Sequence, residues 1–208
     1  MFTHLHVASG YSARYGASLP DRLVQRAAEH HLDALALTDR DTVAGAVRFA
    51  NACKQAGIRP LFGADLAVPL LQPPIPRRTP TRTGPRTPAR GGAFVDESAP
   101  RVTLLARDRT GWANLCALIT AAWAARARAG GGQPIVPRES LEQHTEGLTV
   151  LLGPASEPVR ALAAGRPDQA TELLAPWREM FGADLRLEAV HHRRTGTGPG
   201  SRRYPFSA

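Results

Sequence analysis

The feature that most restricts the fold is the stretch at residues 33–41, D-A-L-A-L-T-D-R-D. Leu35 and Leu37 alternate with Ala34 and Ala36, and the apolar run stops abruptly at four polar residues. A buried parallel strand reads this way where it meets a loop, and in α/β folds that loop end carries the chemistry. Two readings stay open from the stretch alone. Thr38, Asp39 and Asp41 offer oxygen atoms to a metal or a phosphate, or Asp39 and Asp41 merely punctuate the strand and cap the next helix.

Helical patterns bracket the stretch. Ser18-Leu19-Pro20-Asp21 marks a helix start with Ser18 as N-cap, and Leu23, Val24, Ala27 and Ala28 form an apolar stripe up to about His31. Asp41 is expected to cap a second helix whose inward face is Val43, Ala46, Val47, Ala50 and Cys53, with Gly57 in a left-handed cap. Residues 58–68 then read as a further strand, and residues 2–7, F-T-H-L-H-V, as a first one with His4 and His6 on one face. Consecutive strand–helix–strand units argue a parallel sheet or barrel, which brings Asp65 to the same rim as Asp39.

Between residues 69 and 100 the pattern is lost among prolines and arginines, as expected of a flexible insertion rather than a domain boundary. A strand at 101–106 follows, then a long helix whose apolar side is Trp112, Leu115, Cys116, Leu118, Ile119, Ala122 and Trp123, ended by Gly130-Gly131-Gly132. A short helix at 138–144, a strand at 147–152, helices at 157–164 and 168–181 and a last strand at 184–190 complete the periodic part. The expected organisation is one domain over 1–192, incomplete at its C-terminal side, and a disordered basic tail at 193–208.

The formal net charge of +8 suggests a nucleic-acid partner until it is located. Arg77, Arg78, Arg82, Arg86 and Arg90 lie in the proline-rich segment, and Arg193, Arg194, Arg202 and Arg203 in the tail. Setting those nine charges aside leaves the rest near −1. The folded part therefore exerts no general pull on phosphate, although the two basic segments allow weak, salt-sensitive contact with DNA. No apolar run approaches the roughly 20 residues of a membrane helix and no signal-peptide order is present, so the expected location is cytoplasmic. Cys53 and Cys116 are too few and too dispersed for a zinc knuckle or a disulfide framework. Ser12, Ser156 and Ser201 lack a Gly-x-Ser-x-Gly context, and neither a P-loop nor a dinucleotide fingerprint occurs.

Five segments together, H-L-H-V-x-S-x-Y-S from residue 4, A-L-A-L-T-D-x-D at 34–41, G-A-V-R-F at 45–49, A-G-I-R-P-L-F-G-A-D at 56–65 and L-L-A-R-D-x-x-G-W-x-N-L-C-x-L-I-T at 104–120, carry a resemblance. The chain resembles the N-terminal polymerase-and-histidinol-phosphatase (PHP) domain of bacterial DNA polymerase III alpha subunits, and most of all the error-prone branch. The resemblance implies a distorted barrel of seven β/α units, here an incomplete one, with a metal cluster at its C-terminal rim. Of the family's ligand positions, His6, Asp39 and Asp65 remain. Ala8, Tyr15, Arg40 and Pro154 stand where the family has a histidine, an acid, a histidine and a cysteine, and His192 loosely matches a late histidine.

Hydrolytic metal sites need about three or more convergent ligands per ion and an open position for water. The surviving set does not reach that number, and Arg40 puts a permanent positive charge where a cation would sit. Arg40 is expected to pair with Asp39, Asp41 or Asp65, an ion pair in the metal's stead. No cofactor is expected, with zinc or manganese bound only if the site still works. The resemblance implies a non-catalytic scaffold fragment of a polymerase in replication or repair synthesis, its partners the polymerase domains and other replication or repair subunits. The alternatives are a metal-dependent phosphoesterase or 3′–5′ proofreading exonuclease, and a nucleic-acid binder acting through the arginine-rich segment.

Overall fold

The computed structural model describes residues 2–71 and 99–190, so the arginine-rich part of the insertion, His192 and the basic tail lie outside it. The organising stretch forms strand β1, Ala34–Arg40, buried along nearly its whole length. The strand does not stop at Leu37. It runs on through Thr38 and Asp39 because these side chains find partners inside the protein. Helices α1, Pro20–Glu29, and α2, Ala46–Ala56, pack on this part of the sheet through Val24, Ala27, Phe49 and Cys53. Burial pushes the Cys53 thiol up to about 11, in keeping with a small apolar side chain rather than a reactive one.

Strands β2, Arg59–Ala67, β3, Arg101–Ala106, β4, Leu148–Leu152, and β5, Leu185–Leu187, follow β1 in a five-stranded sheet whose spatial order is the chain order. The second layer is α3, Arg109–Arg128, α4, Arg138–Gln143, α5, Glu157–Ala163, and α6, Pro167–Phe181. Leu115, Leu118, Leu141, Trp177 and Phe181 from this layer meet Leu66, Val102, Leu104, Val150 and Leu152 from the sheet. Among the described residues no helix is long and apolar enough to cross a membrane.

The expected α/β fold with an incomplete, open sheet is present, but the sheet is not parallel throughout. The β1–β2 and β4–β5 pairs are parallel, but β3 runs antiparallel to both β2 and β4. The reason lies in the connections. Val68 donates to the carbonyl of Pro100 at 2.9 Å, so the two ends of the insertion are fastened side by side at one rim, and β3 returns from where β2 arrived. The route from β3 to β4 passes through α3 and back through α4, and Leu148 begins opposite Ala106. Among the described residues the sheet is not closed by strand pairing.

Several local expectations are corrected. Residues 2–7 follow β1 through a single bridge, His4 to Leu35, and bonds from Ala36 to the His4 carbonyl and from Thr38 to the Val7 carbonyl, without forming a regular strand. Leu19, not Ser18, is the N-cap of α1, and it makes no side-chain cap bond. Asp41 does not cap α2, which begins five residues later after Gly45; this shift puts Phe49 inside and leaves Val47 75% exposed. Trp123 is not on the buried side of α3 but 43% exposed. The last strand is shorter than expected, and Gly57 takes the left-handed cap with φ 69°.

Candidate functional site

The strand register sets Arg40 beside Asp65, and the antiparallel return of β3 adds Arg101 and Thr103 at the same rim. Asp39 lies one step back and is buried. Its carboxylate accepts three hydrogen bonds: from the Ser9 amide at 2.6 Å, the Ser9 hydroxyl at 2.8 Å and the Ser12 hydroxyl at 2.6 Å. Each hydroxyl is used twice, Ser9 Oγ accepting from the Tyr11 amide and Ser12 Oγ from the Arg40 amide. Asp39 thus fastens the loop at 9–16 to the end of β1. The loop turns tightly, and a β-carbon at Gly16 would run into the Ser9 carbonyl.

Asp65 is held from two directions. Arg101 Nε bridges both of its carboxylate oxygens at 3.1 Å, and Arg101 Nη2 donates to the Asp65 carbonyl at 2.6 Å and to Asp41 Oδ1 at 3.0 Å. Arg40 Nε lies 3.3 Å from Asp65 Oδ2. Of the three carboxylates offered to Arg40 by the sequence, Asp65 stands within ion-pair distance. The Arg40 guanidinium also stacks 3.6 Å from the centre of the Tyr15 ring, so two residues standing at family ligand positions pack on each other. Burial lowers the Arg40 pKa and the nearby Arg101 charge lowers it further, but a guanidinium remains protonated. Burial raises the Asp41 carboxyl above its ordinary value, against the pull of Arg101.

Asp41 itself takes a left-handed conformation, φ 58°, which an aspartate tolerates. Its amide bonds the Asp65 carbonyl at 3.0 Å and its carbonyl accepts from Trp123 Nε1 at 2.7 Å. The backbone at this corner is therefore held from both sides.

His6 belongs to a second part of the network. Its Nδ1 lies 2.9 Å and 3.1 Å from the two oxygens of Glu188, and 3.3 Å from Thr103 Oγ1. A carboxylate only accepts, so Nδ1 carries the proton and Nε2 is the ring's remaining nitrogen. The contact joins the segment before β1 to the residue after β5, so the two ends of the sheet curl toward each other. Gly153 makes room for it, since a β-carbon there would strike the Glu188 carboxylate.

The hydrogen bond to Glu188 raises the His6 pKa above 6.5. A raised folded-state value means the pair's stabilisation is complete below the unfolded pKa and is lost as pH rises through the folded one. Wild-type protein is therefore expected to lose urea resistance as pH rises above about 6.5, a loss reduced in His6→Gln. Parallel slopes in the two proteins would contradict the assignment.

Two of the three residues that the resemblance sets at ligand positions are engaged by donors of the protein itself. Asp39 spends its oxygens on loop donors and Asp65 on two arginines. Only His6, with its Nδ1 proton held by a carboxylate, has the arrangement of a ligating imidazole. Among the described residues no group of three or more His, Cys, Asp or Glu side chains could hold a metal. Ala8 and Pro154 bring no donor side chain, and His30 and His31 sit at the end of α1, away from this network. Sequence reasoning missed Arg101 and Glu188. Arg101 carried one available signal, a lone charge opening an apolar strand, R-V-T-L-L-A. Glu188 carried none.

The PHP domain model matches residues 4–192. The DNA polymerase III subunit alpha of Caulobacter vibrioides is 32% identical over 205 residues, spanning 96% of this chain and 16% of its own length. Error-prone DNA polymerases of Mycolicibacterium paratuberculosis and Symbiobacterium thermophilum are 35% and 36% identical, spanning 92% and 94% of this chain and 16% and 17% of their own lengths. The chain thus spans about a sixth of the length of these relatives. A match that begins at the segment leading into β1 and runs past β5, taking in the whole rim, makes the chain a member of the PHP domain family.

Proposed function

We propose that this chain acts as a non-catalytic scaffold domain, spanning about residues 1–192, of a DNA polymerase III alpha-type protein in replication or repair synthesis. The observation that carries the reading is the arginine pair on Asp65, Arg101 buried and Arg40 half-buried. A divalent ion bound there would face two fixed positive charges. The network cross-links β1, β2 and β3 and, through Asp39 and Tyr15, the loop at 9–16. By this reading the rim is a structural clamp, and its partners are the polymerase domains of the longer protein.

A second reading, a metal-dependent phosphoesterase, is favoured by one feature, the Glu188-held imidazole of His6. One experiment separates the two. The purified chain is incubated with zinc or manganese, dialysed, and assayed for metal content and for cleavage of a phosphate monoester and of single-stranded DNA. The scaffold reading expects well under one metal per chain and no metal-dependent cleavage. Near-stoichiometric retention with cleavage that His6→Ala abolishes would replace it with the second.

A further inference from the structure

Strand β5 is the last of the sheet, and among the described residues no strand pairs with its outer edge. Its register fixes what that edge offers. The Glu188 amide donates to the Leu152 carbonyl at 3.0 Å, so Glu188 turns its backbone toward β4. Backbone groups alternate sides along an extended strand. Arg186 therefore also faces β4, while Leu187 and Ala189 present their N–H and C=O outward. Side chains alternate as well: Leu187, 54% exposed, stands on one face of the strand, and Arg186 and Glu188 share the other. His6 reaches across to the Glu188 side chain, yet the segment that carries it leaves Phe2 73% and Leu5 38% exposed, and among the described residues no bridge joins it to β5. Unused backbone groups beside an exposed leucine are a template for another strand.

The residues of the edge identify that strand. An antiparallel pair about a two-fold axis at Leu187 sets this leucine against Leu187 of a second copy, and the two exchange both N–H···O bonds. Ala189 then meets Leu185 of the copy, whose backbone also faces outward. Arg186 stands opposite Glu188 of the copy, twice, at the non-hydrogen-bonded positions where facing side chains come closest. Arg186 Nη1 donates to the carbonyls of Ala183 and Leu185, one of a guanidinium's three nitrogens. Glu188 accepts from His6, and a carboxylate has room for a further donor. Moving the axis one residue either way sets Arg186 against Arg186 or Glu188 against Glu188, and turns the wrong backbone groups to the seam. Of these three registers, the one centred on Leu187 satisfies hydrogen bonds and charge together.

We infer that the outer edge of β5 is a self-pairing surface, through which two copies of this chain join their sheets in a two-fold dimer. Arg40, Arg101 and Asp65 take no part in it, so the inference goes beyond the scaffold reading and stands apart from its outcome.

The test measures the mass of the full 208-residue chain by sedimentation equilibrium between about 1 and about 200 µM, at low and high salt. A monomer–dimer equilibrium within that range is expected. Leu187→Lys puts a charge at the axis, and Ala189→Pro removes an N–H that points away from β4. Each is expected to raise the dimer dissociation constant at least about 10-fold and to leave the urea midpoint at the wild-type value. Arg186→Glu raises it too, by a factor that shrinks at high salt. In the wild type, hydrogen exchange at the Leu187 and Ala189 amides is expected to slow as protein concentration rises. Three results would each overturn the inference: a monomer at every concentration, a dimer that neither Leu187→Lys nor Ala189→Pro weakens, or amides of Leu187 and Ala189 protected equally at all concentrations. The last is the result if the chain's own residues beyond Val190 cover the edge. If the variants fail to fold, the exchange measurement on the wild type decides on its own.

Discussion

Arg101→Met is expected to lower unfolding stability by about 3–5 kcal/mol, read as a fall in the urea midpoint at unchanged slope. The size follows from what is left behind. Arg101 is 5% exposed and satisfies both oxygens of Asp65, the Asp65 carbonyl and one oxygen of Asp41. Methionine fills much of the volume but supplies no donor, so two carboxylates in a poorly hydrated rim lose their main counter-charge. Arg40, 3.3 Å from Asp65, offsets only part of this. The cost of breaking such a network differs from its net contribution, which is often near zero against an apolar replacement. Arg101→Met combined with Asp65→Asn should therefore be more stable than Arg101→Met alone. A loss below about 1 kcal/mol in the single variant, with no recovery in the double one, would mean that the arginine does not hold the rim together.

Asp39→Ala is expected to cost about 2–4 kcal/mol. Two buried hydroxyls can turn toward other acceptors or water, but the Ser9 amide cannot, and it is left without its 2.6 Å partner. The loss should be local as well as global. Amide hydrogens of residues 9–16 should exchange faster than those of β2 and β4, because the loop is tied to β1 through this one carboxylate and the Ser12 bond to Arg40. Asp39→Asn keeps one acceptor oxygen and turns an amide group toward a donor, so it should fall between wild type and alanine. The metal-ligand role predicts a different result. If Asp39 served mainly as a ligand, its removal in metal-free buffer would relieve crowding among carboxylates and leave the loop protected. Stability at or above wild type in chelator-treated protein would therefore remove the loop-fastening role.

The two variants probe different halves of the rim. Asp39 acts within the loop and β1, whereas Arg101 joins β3 to β2 and to the corner at Asp41. Residues at the two sites share a hydrogen-bond network through Arg40, so the double variant Asp39→Ala, Arg101→Met is expected to depart from additivity.

What the sequence determined by itself was most of the list of elements, residues 2–7 excepted. The apolar run of β1, the helix ending at Gly57 and the strand at 101–106 were legible because each is specified by neighbours a few residues away: side-chain periodicity, a left-handed glycine, a sharp change in polarity. The rim position of Asp39 and Asp65 was legible too, since two parallel strands joined by a helix must end together. The tertiary structure alone decided direction and partnership. Whether β3 ran with or against β2 depended on the bond between Val68 and Pro100, two residues separated by the whole insertion. The partners of His6 and Asp39 lie 182 and about 30 positions away, and no local pattern encodes them. Asp39 was expected at the site for its oxygen atoms, and its hydrogen bonds go to a loop. The same carboxylate serves as a metal ligand or a loop anchor according to which donors the fold brings within 3 Å of it, and those donors are fixed by packing at long range.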